Sequence, residues 1–427
     1  MAGNARITIT TFESLTSNSA GGIGKLSYGL AAHLHNKGFE VRFLTINKGP
    51  HQTTFPSESV HWSSRGFLYL INKLAAWKLL DLVKKRRLEE QYYDFFLSRK
   101  KLKGDYLITT HAFMPRTLKK AKGFKHIAYI PPTPNELEIE KVCRNELAHK
   151  GVQKVHYNDA YTDRRRLKKF EASLPWLDQV ISISPVTTNS FSHLGKCVME
   201  VPFIHIPKRS ATDLLPQPPK QQGKVVFLYI AYSVLLKGLH RLLDEWKLVA
   251  PENAELHIAG PVSAPYKATF DLSGLEAENV RFLGYTANPT PFYQQADVII
   301  IPSLIDNEPT TATEALSLGK PVLLSSTCGY ARFVGEMVPD AVFDVFKPGM
   351  LAQKINAAAT DMPAFKAKYA DLIEYTKHKK FDQEEFFATI AGCVLNYAPN
   401  RVHQDAPVFK KGLAAEMLPG TPTLLPA

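Results

Sequence analysis

The stretch from 296 to 326, "ADVIIIPSLIDNEPTTATEALSLGKPVLLSS", decides how the chain folds. After Asp297 the residues Val298 to Ile301 are all apolar and β-forming. A strand apolar on both faces is buried on both, as in a parallel sheet covered by helices. A loop between Pro302 and Pro309 follows, then a helical pattern that begins near Thr310 or Thr311 and stops at Gly319. "PVLLSS" opens the next strand. Strand, crossover helix and strand make the repeating unit of an α/β fold. Asp306 and Glu314 frame the start of the helix, on the edge of such a sheet where ligands bind.

The same alternation runs outward in both directions. "ARITITTF" (5–12) reads as a strand, and the glycine-rich "GGIGKLSYGLAAHL" (21–34) as a turn into a helix. "DYLITT", "HIAYI" and "DQVISIS" are further strands before "KRSATDLLPQPPKQQGK" (208–224), which is polar, Pro-rich and without period. Beyond it "KVVFLYIAY", "AELHIAG" and "VRFLGY" restart the pattern. A chain of 427 residues exceeds one ordinary core. The expectation is two doubly wound, Rossmann-like α/β domains facing a cleft: residues 1–207, a linker at 208–223, and residues 224–382. A helix at 383–398, with Asp382 as N-cap, is expected to pack back toward the first domain, and 399–427 to be a mobile tail.

Composition narrows the function. At 45% hydrophobic and 22% charged the chain is globular, and no segment offers about 20 uncharged apolar residues for a membrane span. "MAGNARITITTF" lacks a signal-peptide core, and the four cysteines form no CxxC pair, which predicts reduced thiols in a cytoplasmic protein without a zinc site. His33 and His35 point apart on a helical pattern and make a poor metal pair.

The chemistry of 306–314 has two readings. The unpaired amides at a helix start, around Thr310 and Thr311, make an anion site that holds a phosphate without metal, and Glu314 is placed to accept bonds from vicinal hydroxyls such as those of a ribose. Alternatively, Thr311-Ala312-Thr313-Glu314 is a capping box that bonds only its own helix.

"PSLIDNEPTTATEALSLGKPVLLSS" resembles the signature region of family 4 glycosyltransferases, retaining enzymes of the GT-B fold. "GGIGKLSYGLAAHL", "LLKGLHRLLDEWKLV", "AELHIAG" and "VRFLGY" match in order, so that the resemblance spans about 6–400 and is strongest over 224–330. It implies transfer of a sugar from a nucleotide-diphosphate donor to a glycan or lipid-linked acceptor, as in polysaccharide biosynthesis, with no cofactor and no metal. Glu314 would hold the ribose, Asp306 the transferred sugar, Lys237 the diphosphate, the Thr310 and Thr311 amides the distal phosphate, and Phe282 the base. Gly22 would let backbone approach that phosphate from across the cleft, and His111, ending a strand of the first domain, is the catalytic candidate there. The match departs at three places. The first acid is Asp306 where the family has Glu, an expected Arg is replaced at Tyr232 and Leu236, and Pro131 and Pro132 stand where relatives carry a His. The missing Arg and His support the alternative of a catalytically inactive GT-B-like protein that binds nucleotide or glycan.

The charge is uneven. Eleven Lys/Arg against four Asp/Glu between Arg65 and Lys103 supply more than half of a net +12. Apolar residues recur there at helical spacing, which fits docking on anionic membrane at the inner face, through Lys84, Lys85, Arg86 and Arg87, or an ordinary amphipathic helix with a solvated basic face. No recognition motif accompanies the charge, so nucleic acid is not expected as a partner.

Overall fold

The computed structural model describes residues 5–15, 22–50, 52–152, 160–203, 223–249, 252–270, 279–378 and 382–397. Nearly all of the expected linker and the whole expected tail at 399–427 lie outside them, as do Gly21 and the five residues before it.

Two parallel sheets form, each built where apolar β-forming runs alternate with amphipathic helices. The first holds β1 (Arg6–Thr11), β2 (Glu40–Thr45), β3 (Ser57–Ser59), β4 (Tyr106–Thr109), β5 (His126–Tyr129), β6 (Gln179–Ser182) and β7 (Cys197–Glu200), in the order β3-β2-β1-β4-β5-β6-β7. The second holds β8 (Val225–Ile230), β9 (Ala254–Ala259), β10 (Val280–Gly284), β11 (Val298–Ile301), β12 (Val322–Ser325) and β13 (Val342–Phe343), in the order β10-β9-β8-β11-β12-β13. Each order reverses once, between β1 and β4 and between β8 and β11, and these switch points leave a crevice at the carboxyl edge. The two Rossmann-like domains expected from the sequence are therefore present.

Packing explains how the ends are tied. In the helix Gln383–Leu395, Asp382 caps by accepting from the Glu385 amide, while Phe386, Phe387, Ile390 and Val394 are buried. They join the core made by Ile7, Ile9 and the helix Gly22–Asn36, with the Phe387 ring lying where a side chain on Gly29 would stand. Glu384 Oε2 meets His33 Nδ1 at 3.0 Å across the same contact. The chain's last described helix thus returns to the first domain.

A second tie is the helix Glu136–His149. Glu136 bonds Arg166 Nη1 at 3.0 Å in the first domain, whereas Ile139 and Cys143 belong to the core of the second. At its far end Glu146 accepts from Arg241 Nε at 2.7 Å and Nη2 at 2.6 Å, and its Oε1 lies 2.7 Å from His240 Nε2. Burial opposes a charge on Glu146, but these bonds hold its pKa down to about 2. Burial also lowers the pKa of His240, so Arg241 supplies the counter-charge at neutral pH.

Candidate functional site

The switch point of the second sheet opens into a cavity of about 210 Å³ lined by Tyr232, Lys237, Ser303, Asp306, Thr310 and Thr311, among others. Local backbone puts each group there. Lys237 ends a short 3₁₀ turn closed by Gly238 at φ 65°, and a Cβ on Gly238 would stand 1.9 Å from the Pro302 carbonyl oxygen. Only glycine lets the turn lie against the end of β11. Lys237 Nζ then meets Asp306 Oδ2 at 2.5 Å, and the Ser303 hydroxyl donates to the same oxygen at 3.1 Å. Burial opposes the charge on Lys237, but Asp306 outweighs it and raises the ammonium above its ordinary pKa.

The helix Thr310–Ser317 starts at the cavity wall. Its N-cap is Pro309, which offers no side-chain cap and no amide hydrogen, so no capping box forms. Glu314 instead accepts from the Tyr293 hydroxyl at 2.7 Å. Burial and Glu314 together push the Tyr293 pKa up, so the phenol stays a donor. The carboxylate is aimed by a neighbouring helix, one turn beyond Thr310 and outside the lining of the cavity itself. The amides of Thr310 and Thr311, at the first two helical positions, have no place in the intrahelical ladder.

Asn307 fixes this loop across the domains. Its Oδ1 accepts from the Ser184 and Thr187 hydroxyls, each at 2.5 Å, and its Nδ2 donates to the Pro132 carbonyl at 3.4 Å. Gly329 closes the seam: a Cβ there would be 1.8 Å from the Asn307 carbonyl oxygen. Beside it Glu308 is half-buried, and burial, Asp306 and Glu200 of the first domain raise its carboxyl well above the usual range. Neither Asn307 nor Glu308 is singled out by sequence reasoning, although both stand in the quoted "DNEP".

Other expected residues fall elsewhere. Gly22 opens the helix after β1, at the cleft edge of the first sheet, with no atom within 4 Å of where a Cβ would be. Phe282 lies on edge strand β10, outside the cavity lining, with Lys267 Nζ 4.2 Å from its ring centre. His111 is corrected outright: it does not face the cleft but is buried, stacked on Phe12 at 4.5 Å and edge-on to Tyr93 at 5.6 Å. Burial first, then Arg86, Arg166 and Lys169, hold its pKa well below the ordinary value, so it is a neutral ring inside an aromatic cage. The basic quartet is corrected in part. Arg86 bonds Glu90 at 3.0 Å and covers the Phe12 ring, Arg87 reaches Asp163 at 3.4 Å, and Lys85 pairs with Glu89, so only Lys84 is strongly exposed.

A larger cavity, about 630 Å³, lies against β3 and is lined by His61, Trp62, Phe96, Arg99 and Lys100, among others. It holds none of the expected site residues. Among the described residues no three His, Cys, Asp or Glu side chains gather to hold a metal ion, and no helix is long and apolar enough to cross a membrane.

Residues 211–379 match the family model described as glycosyl transferases group 1, which covers the second domain. No curated protein matches the chain in sequence. Among solved structures the chain is similar to WaaG, a glycosyltransferase involved in lipopolysaccharide biosynthesis, at 15% identity and a TM-score of 0.58, over 91% of this chain and 100% of that one. HepE of Anabaena, solved with UDP and glucose, aligns at 15% identity and 0.57, over 92% and 100%. A sucrose-phosphate synthase from Thermosynechococcus elongatus aligns at 15% and 0.56, over 92% and 98%. At this identity the likeness establishes a shared fold, the two-domain GT-B arrangement.

Proposed function

We propose that the protein is a glycosyltransferase that takes a sugar from a nucleoside-diphosphate donor held in the second domain and delivers it to an acceptor bound against the first. The observation that supports this most is one cavity lined by an ammonium, two helix-start amide positions and a carboxylate. The group 1 match over the same domain agrees, as does the binding of UDP by the Anabaena neighbour. In this reading the bond from anomeric carbon to phosphate breaks while charge grows on the diphosphate. Lys237 and the Thr310 and Thr311 amides meet that charge, each donor contributing roughly 3–4 kcal/mol in comparable sites. Asp306 orients the sugar, and Glu314, set by Tyr293, takes the ribose hydroxyls. Retention of configuration and a lipid-linked or glycan acceptor belong to the same proposal, as does diphosphate binding without metal.

A second reading, binding without transfer, is favoured by one observation. Tyr232 is 56% exposed and lines the cavity where the resemblance expects a cation, while Leu236, the other such position, is 5% exposed in the core. The deciding experiment is thermal melting with UDP, GDP and ADP and their sugars, in Mg²⁺ and in EDTA, followed by assay of nucleotide release. A ligand at 100 times its Kd adds about 2.7 kcal/mol. A shift for one nucleotide kept in EDTA, with turnover, supports transfer. A shift without turnover supports the binding protein, and no shift overturns both.

A further inference from the structure

Eight of the thirteen most exposed large apolar side chains among the described residues lie between Trp62 and Phe95. Trp62 precedes the helix Ser64–Ala76, Tyr69 and Leu70 stand on it, Trp77 and Leu79 on the turn that follows, and Leu82, Leu88 and Phe95 on the helix Leu82–Leu97. One face of that helix meets its own domain: Ile71 is buried and Phe67 stacks on Tyr92 at 4.0 Å. The opposite face repeats Tyr69, Lys73 and Trp77 at four-residue spacing, all exposed, with Lys73 Nζ 4.8 Å from the Tyr69 ring centre and 5.8 Å from that of Trp77. The turn, with Lys78 at φ 59°, adds Leu79 at 72% exposure, Leu82 at the start of the next helix is 63% exposed, and Trp62 before the helix is 87% exposed. The solvent side of the helix and its C-cap therefore carries two exposed aromatic rings around one cation, where an ordinary amphipathic helix on its own domain is polar.

The charge around it has one sign. Between Val60 and Leu88 stand seven Lys/Arg and a single acid, Asp81, which is occupied as an N-cap and in a pair with Lys84. With Lys85, Arg86 and Arg87 engaged in ion pairs of their own, Arg65, Lys73, Lys78 and Lys84 are the exposed cations. Exposed Trp, Tyr and Leu ringed by Lys and Arg match the boundary of a bilayer, where apolar side chains enter and cations pair with lipid phosphates. A second copy of the same face would set like charges against each other, and a nucleic-acid backbone offers the leucines nothing.

We propose that the surface from Trp62 to Lys84 docks the first domain on an anionic lipid bilayer, with Trp62, Tyr69, Trp77, Leu79 and Leu82 entering the headgroup boundary. Docking stands independently of the donor reading, since none of these residues lines the donor cavity. It places the acceptor-side domain at the lipid surface.

Flotation of the full chain with phosphatidylcholine vesicles, with and without phosphatidylglycerol, tests it. The wild type floats only with phosphatidylglycerol and is released by salt. Trp77→Ser with Leu79→Ser lowers partitioning at least about ten-fold, and Lys73→Gln or Lys78→Gln lowers it about five-fold each. Unchanged melting temperatures and unchanged nucleotide-induced shifts show that fold and donor site are intact. Absence of wild-type binding overturns the proposal, and so does equal binding by the variants. A wild-type oligomer that the Trp77 and Leu79 changes turn into a monomer, without vesicle binding, overturns it in favour of self-association.

Discussion

Lys237→Met separates the two roles the site gives this ammonium. Lys237 is 34% and Asp306 12% exposed in their 2.5 Å pair. An exposed pair is worth under about 1 kcal/mol, whereas removing one partner of a buried pair costs about 3–5 kcal/mol. Partial exposure sets the loss between these, at about 2 kcal/mol, which lowers the melting temperature by roughly 4–8 °C if the second domain melts as one unit. Lys237→Met combined with Asp306→Asn leaves no buried charge unpaired and recovers most of that stability. Nucleotide affinity behaves differently. A hydrogen bond to a charged group contributes about 1.5–3 kcal/mol, so either variant weakens diphosphate binding by roughly 10- to 150-fold. Calorimetric titration beside thermal melting reads both quantities. A single variant that melts lower yet binds the nucleotide with wild-type affinity refutes the reasoning, because Lys237 would then serve only Asp306.

Two further outcomes follow from the backbone and the domain seam. Gly238→Ala forces a Cβ into the Pro302 carbonyl at a left-handed φ and destabilises by about 3 kcal/mol or more, read by denaturant midpoint, whereas Gly22→Ala, with open space around it, leaves stability within about 0.5 kcal/mol. Glu146 has its pKa lowered from the usual 4.5 to about 2, so the stability it gives is present above pH 4.5 and is lost as pH falls toward 2. That amounts to at most about 3 kcal/mol. Glu146→Gln removes this part of the acid dependence, and an unchanged slope between those pH values contradicts the assignment.

The parallel sheets were legible because buried strands such as Val298–Ile301 are continuous apolar runs bounded by turn residues. β3, Ser-Glu-Ser, was not, since a short edge strand needs no apolar face. The helix Glu136–His149 shows a second limit. Its periodicity says that a face is buried, but Ile139 and Cys143 find their partners in the other domain, and spacing carries no information on which domain covers a face. The site was legible where a motif fixes backbone, as at Asp306 and the helix start at Thr310. It failed where direction decides: His111 and Arg86 stand at plausible positions and turn inward, because aromatic rings and Glu90 cover them. Glu308 passed unnoticed because its elevated pKa arises first from burial, then from Asp306 and from Glu200, and sequence shows neither the burial nor the approach of Glu200 from the first domain.

The most direct test of the central claim is the calorimetric Kd of the wild type and of Glu314→Ala for the nucleoside diphosphate that shifts the melt. A ribose held by two bonds to a carboxylate predicts a loss of about 3 kcal/mol, more than a hundred-fold in Kd. Equal affinities would mean that Glu314 serves only Tyr293, and would contradict the donor site.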